Sequence, residues 1–396
     1  MTKKFLSLFI TFGLIFCLVG CITEEDTNFT PKNKAQEIVY NMQFGWNLGN
    51  TLDATHWNDD QNAGLTTETG WGQPKTTQEM IKGLKNLGIK TIRIPVSWHN
   101  HISDNNYSID SSWMSRVKQI VDWAYNEEMY VIINIHHDNY NSKNNNFKYG
   151  KGFYPSEEYK TESLKFITRV WEQICQTFNE NYDDRLVFEV LNEPRLQGDA
   201  HEWGYQSRCA TCKEAMNVLN GFNQAALDTI RASGGNNANR LVMIPSIAAS
   251  PDHAFSSDFK MPTDSAENAL ALSVHMYTPY DFAMDVPGGE KFTSGHKGTL
   301  DYYFNKLNNL YVSKGIPVVI GEMGATNKDN LEDRAAWFGY FVQHSRKYGI
   351  TACVWDNGVA EPSKTESEKY GYYNRTKQEW YFPLLMEVAL KASEIK

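Results

Sequence analysis

The sequence predicts an α/β fold of one domain, a (β/α)8 barrel, and three observations predict it. Eight short apolar runs ending in polar residues recur along the chain: Gln43 to Gly49, Thr91 to Trp98, Tyr130 to Asp138, Leu186 to Pro194, Leu241 to Ser246, Leu270 to Tyr277, Val318 to Gly324 and Thr351 to Gly358. Such continuous apolar runs suit the buried strands of a parallel sheet. Segments of helical period separate them, such as Leu164, Ile167, Trp171, Ile174 and Phe178, spaced by three and four. Finally, the first run lacks the Gly-rich phosphate loop that an open doubly wound sheet usually carries there. With 396 residues and 41% hydrophobic content the chain can fill one large core, and no Pro/Ser-rich linker divides it after residue 35.

Taken in order, the chain begins with Lys3 and Lys4 before an apolar run from Phe5 to Val19. That run has the length of a signal h-region and falls short of the roughly 20 residues of a spanning helix. It closes on Leu18-Val19-Gly20-Cys21, which resembles the lipobox of bacterial lipoproteins. The expectation is a signal peptide over 1–20, a lipidated Cys21 with a flexible tether over 21–33, and the barrel domain over 34–396. The protein would then be exported and held by its acylated N-terminus at the bacterial cell surface, on the outer or cytoplasmic membrane, facing outward. Farther on, Thr76 with Glu79 reads as a capping box ahead of Met80, Leu84 and Leu87, and Gly88 ends that helix. A last helix is expected over about Gln378 to Ala392.

Cys175 and Cys353 sit in apolar patterns and read as buried reduced thiols. Cys209-Ala-Thr-Cys212 has metal-like spacing, but no second pair follows and only His201 is near in sequence. A local disulfide is the expected state in an exported protein.

A barrel places its chemistry at the C-terminal ends of its strands, so residues there converge although far apart in sequence. The run Arg185 to Pro194 changes from apolar to Asn192-Glu193, and Pro194 stops any ladder. The run ending in Gly321-Glu322 delivers a second carboxylate. Carboxylates are costly to bury unless partnered, so two at strand mouths point to a working pair. The other strand ends supply Trp46 and Asn47, Arg93 and Trp98, His136 and His137, His275 and Tyr277, and Trp355. No Ser or Cys stands among them as a nucleophile. The formal charge of −9, more negative still without Lys3 and Lys4, argues against nucleic acid or an anionic membrane surface as partner. The 13% aromatic content exceeds what the core needs and suits stacking on flat neutral faces such as sugars.

These stretches resemble glycoside hydrolase family 5, the cellulase family, and within it the endoglucanase and xyloglucanase subfamily. The resemblance rests on Gly45-Trp-Asn-Leu-Gly-Asn-Thr-Leu-Asp-Ala54, Ile92-Arg-Ile-Pro-Val96, Leu191-Asn-Glu-Pro194, Val274-His-Met-Tyr277, Ile320-Gly-Glu322, Asn374-Arg375 and Trp380-Tyr381. It implies a retaining endo-hydrolase of β-1,4-glucan; a monomer that uses no metal or cofactor is the expectation that goes with it. Glu193 matches its acid/base and Glu322 its nucleophile. Arg93, His136, Asn192, His275, Tyr277 and Trp355 match its remaining site positions, with Asn47 and His137 beside them. Xyloglucan, mixed-linkage glucan and mannan are alternative substrates.

Two glutamates suffice for this chemistry: one acid protonates the leaving oxygen and one carboxylate traps the anomeric carbon. Arg93 and the Tyr277 hydroxyl would hold Glu322 ionised, and its charge would raise the pKa of Glu193. Asn192 would hold the 2-hydroxyl. Trp355 would form a sugar platform, and Trp46, Trp71 and Trp98 are candidates for neighbouring subsites. Two other classes compete. His136, His137 and His275 could hold a metal, although adjacent strand histidines are expected to point to opposite faces. Alternatively, a surface lipoprotein could bind glycan without turnover, for which retaining both glutamates would have little use.

Overall fold

The computed structural model describes residues 29–55, 64–139 and 152–394. The signal peptide, Cys21 and most of the tether lie outside the described residues. Eight strands close a barrel in sequence order: β1 (Phe44–Asn47), β2 (Thr91–Ile94), β3 (Tyr130–Asn134), β4 (Leu186–Glu189), β5 (Val242–Pro245), β6 (Leu270–Met276), β7 (Val318–Met323) and β8 (Thr351–Val354). Each pairs in parallel with the next, and β8 closes on β1 through Phe44 with Ala352 and Trp46 with Val354. All eight expected runs are strands, each shorter than its apolar stretch because the last residues have already entered the loops above the barrel. The ladder nonetheless reaches past β4, where Val190 donates to the Met243 carbonyl and Asn192 to that of Ile135.

The helices are α1 (Lys34–Met42), α2 (Gln78–Asn86), α3 (Ser111–Asn126), α4 (Lys160–Thr177), α5 (Ala210–Ala232), α6 (Pro251–Ala254), α7 (Tyr280–Ala283), α8 (Ser294–Leu310), α9 (Leu331–Lys347) and α10 (Pro383–Ser393). The longer ones pack an apolar stripe on the outer faces of the strands; α4 buries Phe166, Ile167, Val170, Trp171 and Ile174. Helix α1 instead stoppers the barrel floor. Its Ala35, Ile38, Val39 and Met42 cluster with the inward residues Ile132, Val187, Met243, Ala271, Val319 and Cys353. Asn33 caps α1, accepting from Gln36 N at 3.0 Å while its amide donates to Gly315 O at 2.8 Å. Residues 29–33 therefore lie against the barrel, with the Phe29 ring against Tyr40.

Two local expectations are corrected. Thr77, not Thr76, caps α2, accepting from Met80 N at 3.3 Å, while buried Thr76 gives its N–H to Glu68. Glu79 thus falls in the first turn, one position short of a capping-box partner. Gly88 ends α2 as expected, at φ 99°, where a side chain would be strained. The last helix starts at Pro383, since residues 373–380 form a two-stranded hairpin that pairs Tyr373 with Trp380.

Candidate active site

Strand side chains alternate, so the inward residues one step above the apolar floor form a second layer. Here that layer is polar: Asn47, Arg93, Asn134, Glu189 and Ser273, all with no solvent exposure. Arg93 is its centre. Its Nε donates to Glu189 Oε2 at 2.9 Å, and Nη2 lies 2.7 Å from that oxygen. Nη1 donates to Asn47 Oδ1 and to Glu322 Oε1, both at 2.9 Å, and Nη2 to Asn192 Oδ1 at 2.7 Å. Burial alone would favour loss of its proton, but the charges of Glu189 and Glu322 outweigh that and hold the guanidinium charged.

Gly321 makes room for this cluster. A Cβ there would stand 3.1 Å from His275 Nε2, 3.2 Å from Glu189 Oε1 and 3.3 Å from Arg93 Nε. It also creates the site's register. Val274 pairs with Ile320, but His275 pairs with Glu322, so Gly321 is the extra residue of a bulge. The bulge sets His275 and Glu322 side by side at the barrel mouth.

Glu322 is gripped at both oxygens, by Arg93 at Oε1 and by the Tyr277 hydroxyl at Oε2, 2.9 Å away. Burial and the Glu322 charge raise the Tyr277 pKa well above normal, so it stays a donor. Glu193 stands opposite. Its Oε1 lies 2.8 Å from His275 Nδ1, which is 3.6 Å from Glu322 Oε2, and oxygens of both glutamates fall within 4.8 Å of one another. Arg195 Nη1 approaches Glu193 Oε2 at 3.7 Å.

Burial pushes the Glu193 carboxyl up, but the hydrogen bond and charge of His275, then Arg195 and His137, hold it below its ordinary range. Burial lowers His275, yet the charge of Glu322 and the contact with Glu193 hold it above its ordinary value. Their contact thus favours a charged imidazole beside an ionised carboxylate. The expectation of a raised Glu193 considered only Glu322 and is corrected by the nearer imidazole.

Asn134 fixes the tautomer of His136. Its Oδ1 accepts from Val96 N at 3.1 Å, so its Nδ2 must donate, to Glu189 Oε2 at 2.8 Å and to His136 Nδ1 at 3.1 Å. His136 is thereby left with Nε2–H facing away from Asn134, and burial with the neighbouring cations keeps it neutral. Asn192 is oriented likewise: its Oδ1 takes the Arg93 bond, leaving Nδ2 as a donor toward the cleft. Trp355, partly exposed, lies parallel to His136 at 5.9 Å, over Gly49, where a Cβ would meet its ring at 3.0 Å.

Other expected residues are placed differently. Trp46 and Trp98 are not subsite platforms; they are 1% and 0% exposed. Trp46 donates to Asp356 Oδ2 at 2.7 Å and Trp98 to Asn134 O at 2.9 Å, tying the loops beneath the cleft. Trp71 is half-buried, donates to Thr55 O at 2.8 Å and leans on His137 at 5.5 Å. His136 and His137 do not point to opposite faces, since β3 has ended at Asn134; their rings meet edge to face at 4.4 Å, and His137 reaches within 3.9 Å of Asp53. Cys209 and Cys212 are free thiols here, not a disulfide.

Sequence reasoning missed Glu189, Asn134, Ser273, Arg195 and Trp203. Trp203 is 60% exposed and lies under the Arg195 guanidinium at 4.3 Å, at the rim beside Glu193. Asn374-Arg375 is a lock rather than a contact surface, for Arg375 joins Gly49 O, Thr51 Oγ1 and Asp356 O.

Known proteins resemble this chain in sequence and in fold. The cellulase family, described as glycosyl hydrolase family 5, matches residues 55–361. Endoglucanase A of Clostridium longisporum is 42% identical over 361 residues, covering 90% of this chain; this chain spans 65% of that protein's length. The structure of a GH5 family lichenase from Caldicellulosiruptor sp. F32 superimposes with a TM-score of 0.86 at 39% identity, covering 92% of this chain and 97% of that one. A GH5-4 broad specificity endoglucanase from Ruminococcus champanellensis with bound cellotriose gives 0.81 at 36% identity, covering 90% and 98%.

Proposed function

The chain belongs to glycosyl hydrolase family 5, and on that premise we propose that it cleaves internal β-1,4-glucosidic bonds of cellulose or related β-glucans with retention at the anomeric carbon. The observation that carries this reading is the pair of glutamates whose oxygens lie within 4.8 Å of each other with His275 between them. Retaining enzymes place their carboxyl groups about 5–5.5 Å apart, whereas inverting ones leave roughly 6.5–9.5 Å for a water.

In the first step Glu193 protonates the glycosidic oxygen while Glu322 attacks the anomeric carbon, giving a glycosyl-enzyme on Glu322. The proton comes across the 2.8 Å contact with His275 as the sugar displaces water and the neutral carboxyl becomes the better partner for an uncharged oxygen. In the second step Glu193 takes a proton from water, whose hydroxide releases the sugar as the β-anomer. Arg93 and Tyr277 orient the nucleophile and balance its charge before attack and again as the carboxylate leaves in the second step. Asn192 Nδ2 and His136 Nε2–H supply donors for sugar hydroxyls, and Trp355 supports the ring undergoing distortion. Trp71 and Trp203 extend the platform to neighbouring sugars.

The lichenase and broad-specificity relatives favour a β-glucan substrate over mannan, and hydrolysis of cellulose, mixed-linkage glucan, xyloglucan and mannan side by side ranks the four. Export and acylation at Cys21 rest on the Leu18 to Cys21 pattern; among the described residues no helix is long and apolar enough to cross a membrane. The mechanism is tested by two substitutions and one spectrum. Glu322→Gln abolishes turnover. Glu193→Gln still forms the glycosyl-enzyme from substrates whose leaving group needs no proton. Proton NMR shows the β-anomer first; an α-anomer first, or full activity in either variant, overturns the reading.

A further inference from the structure

The loop from β4 to α5 gathers three side chains that the reaction does not use. Cys209 is the N-cap of α5, its sulfur accepting the Cys212 N–H at 3.3 Å. Cys212 is buried one turn on, and His201 comes from the loop, so that one ring nitrogen and both sulfurs lie within 4.8 Å of one another. Neither His201 ring nitrogen has a hydrogen-bond partner among the described residues.

We propose that His201, Cys209 and Cys212 bind one zinc-type cation, with solvent in the fourth position. Tetrahedral zinc places such donor atoms roughly 3.5–3.8 Å apart, so side-chain rotation of about an ångström closes this cluster onto an ion. Binding releases the thiol protons to solvent, and two thiolates neutralise the dication beside the positive end of α5. A disulfide across the same pair has no use for the imidazole, whereas a cation does. The consequence reaches the cleft rim. Glu202, next to His201, holds Arg195 at 3.0 Å and Gly198 N at 2.8 Å, and Trp203 follows it. An ion on His201 would clamp this loop to the start of α5 and fix how Trp203 is presented.

The test uses the full mature protein purified under nitrogen without chelator. Elemental analysis is expected to give about one zinc per chain, with two thiols reacting with a disulfide reagent only after chelation. Cobalt substitution is expected to give a thiolate-to-metal charge-transfer band. Cys209→Ser and His201→Ala, checked for folding by circular dichroism, are expected to weaken zinc binding by tenfold or more. Zinc below about a tenth of an equivalent, a Cys209–Cys212 disulfide in the intact mass, or unchanged zinc content in both variants overturns the proposal.

Discussion

Glu189→Gln changes no shape and removes one charge from the middle of the barrel. The carboxylate accepts from Arg93 Nε, with the charged Nη2 2.7 Å from the same oxygen, from Asn134 Nδ2 at 2.8 Å and from Ser273 Oγ at 2.6 Å. Every one of these groups is fully buried. A glutamine with its oxygen in the Oε2 place still accepts from Arg93 and Asn134, and its NH2 then faces Ser273 Oγ, whose hydroxyl can turn to accept, so what is lost is the charge that pairs with Arg93. Breaking a buried pair costs about 3–5 kcal/mol when the partner is left unpaired. Arg93 keeps Glu322, so the lower end applies. We expect a loss of about 3 kcal/mol in urea unfolding followed by tryptophan fluorescence. Without Glu189 the full Arg93 charge also bears on Glu322, which must give up its own charge on attack. If half of the stability loss is felt in the transition state, kcat on soluble β-glucan falls about tenfold. KM should hardly move, because Glu189 touches no sugar. Unfolding within about 1 kcal/mol of wild type together with unchanged kcat would refute the charge-sharing role of Arg93.

Activity is expected to fall at alkaline pH as the His275–Glu193 pair loses its proton. Because His275 is raised above its ordinary value of about 6.5 in the folded protein, the active form persists below that raised value and is lost as pH climbs through it. Arg195→Ala removes a cation near Glu193 and should move this limb to higher pH; a downward shift in the kcat/KM profile contradicts the assignment. Trp203→Ala and Trp71→Ala should each raise KM on polymer up to about tenfold, at about 0.5–1.5 kcal/mol per stacking contact, and leave short aryl glycosides unaffected. Trp46→Ala or Trp98→Ala should instead cost about 3–5 kcal/mol of stability, and a normal thermal melt would reject their core placement. Cys21→Ser protein should lose membrane association on fractionation, and wild type found wholly in the supernatant rules out the anchor.

Glu193 and Glu322 were legible because each follows an apolar run at the point where the chain leaves the barrel. Glu189 was not, although it belongs to the same run. Its signal is the inward phase it shares with Val187, and phase matters only once the strand's inner face is known. The tryptophans failed for the opposite reason. Trp46 and Trp98 sit at strand ends like Trp355, and only the partners of their indole N–H groups, Asp356 and Asn134, show that they turn into the body of the protein. For His136 and His137 the strand rule is sound, but the two lie two and three residues beyond the end of β3 at Asn134.

What the sequence could least show is why a polar layer persists at the centre of a barrel whose floor is apolar. Replacing buried ion pairs with apolar groups is often neutral or stabilising, so stability alone does not account for it. Arg93 on β2 reaches Asn47 on β1, Glu189 on β4, Asn192 beyond its end and Glu322 on β7. Ser273 on β6 and Asn134 on β3 join the same carboxylate. One guanidinium and one buried carboxylate thus tie together the ends of six strands, and the nucleophile belongs to that unit. A shift of any of these strands is felt at Glu322, which explains why the catalytic pair is positioned from below, by groups the sugar never touches.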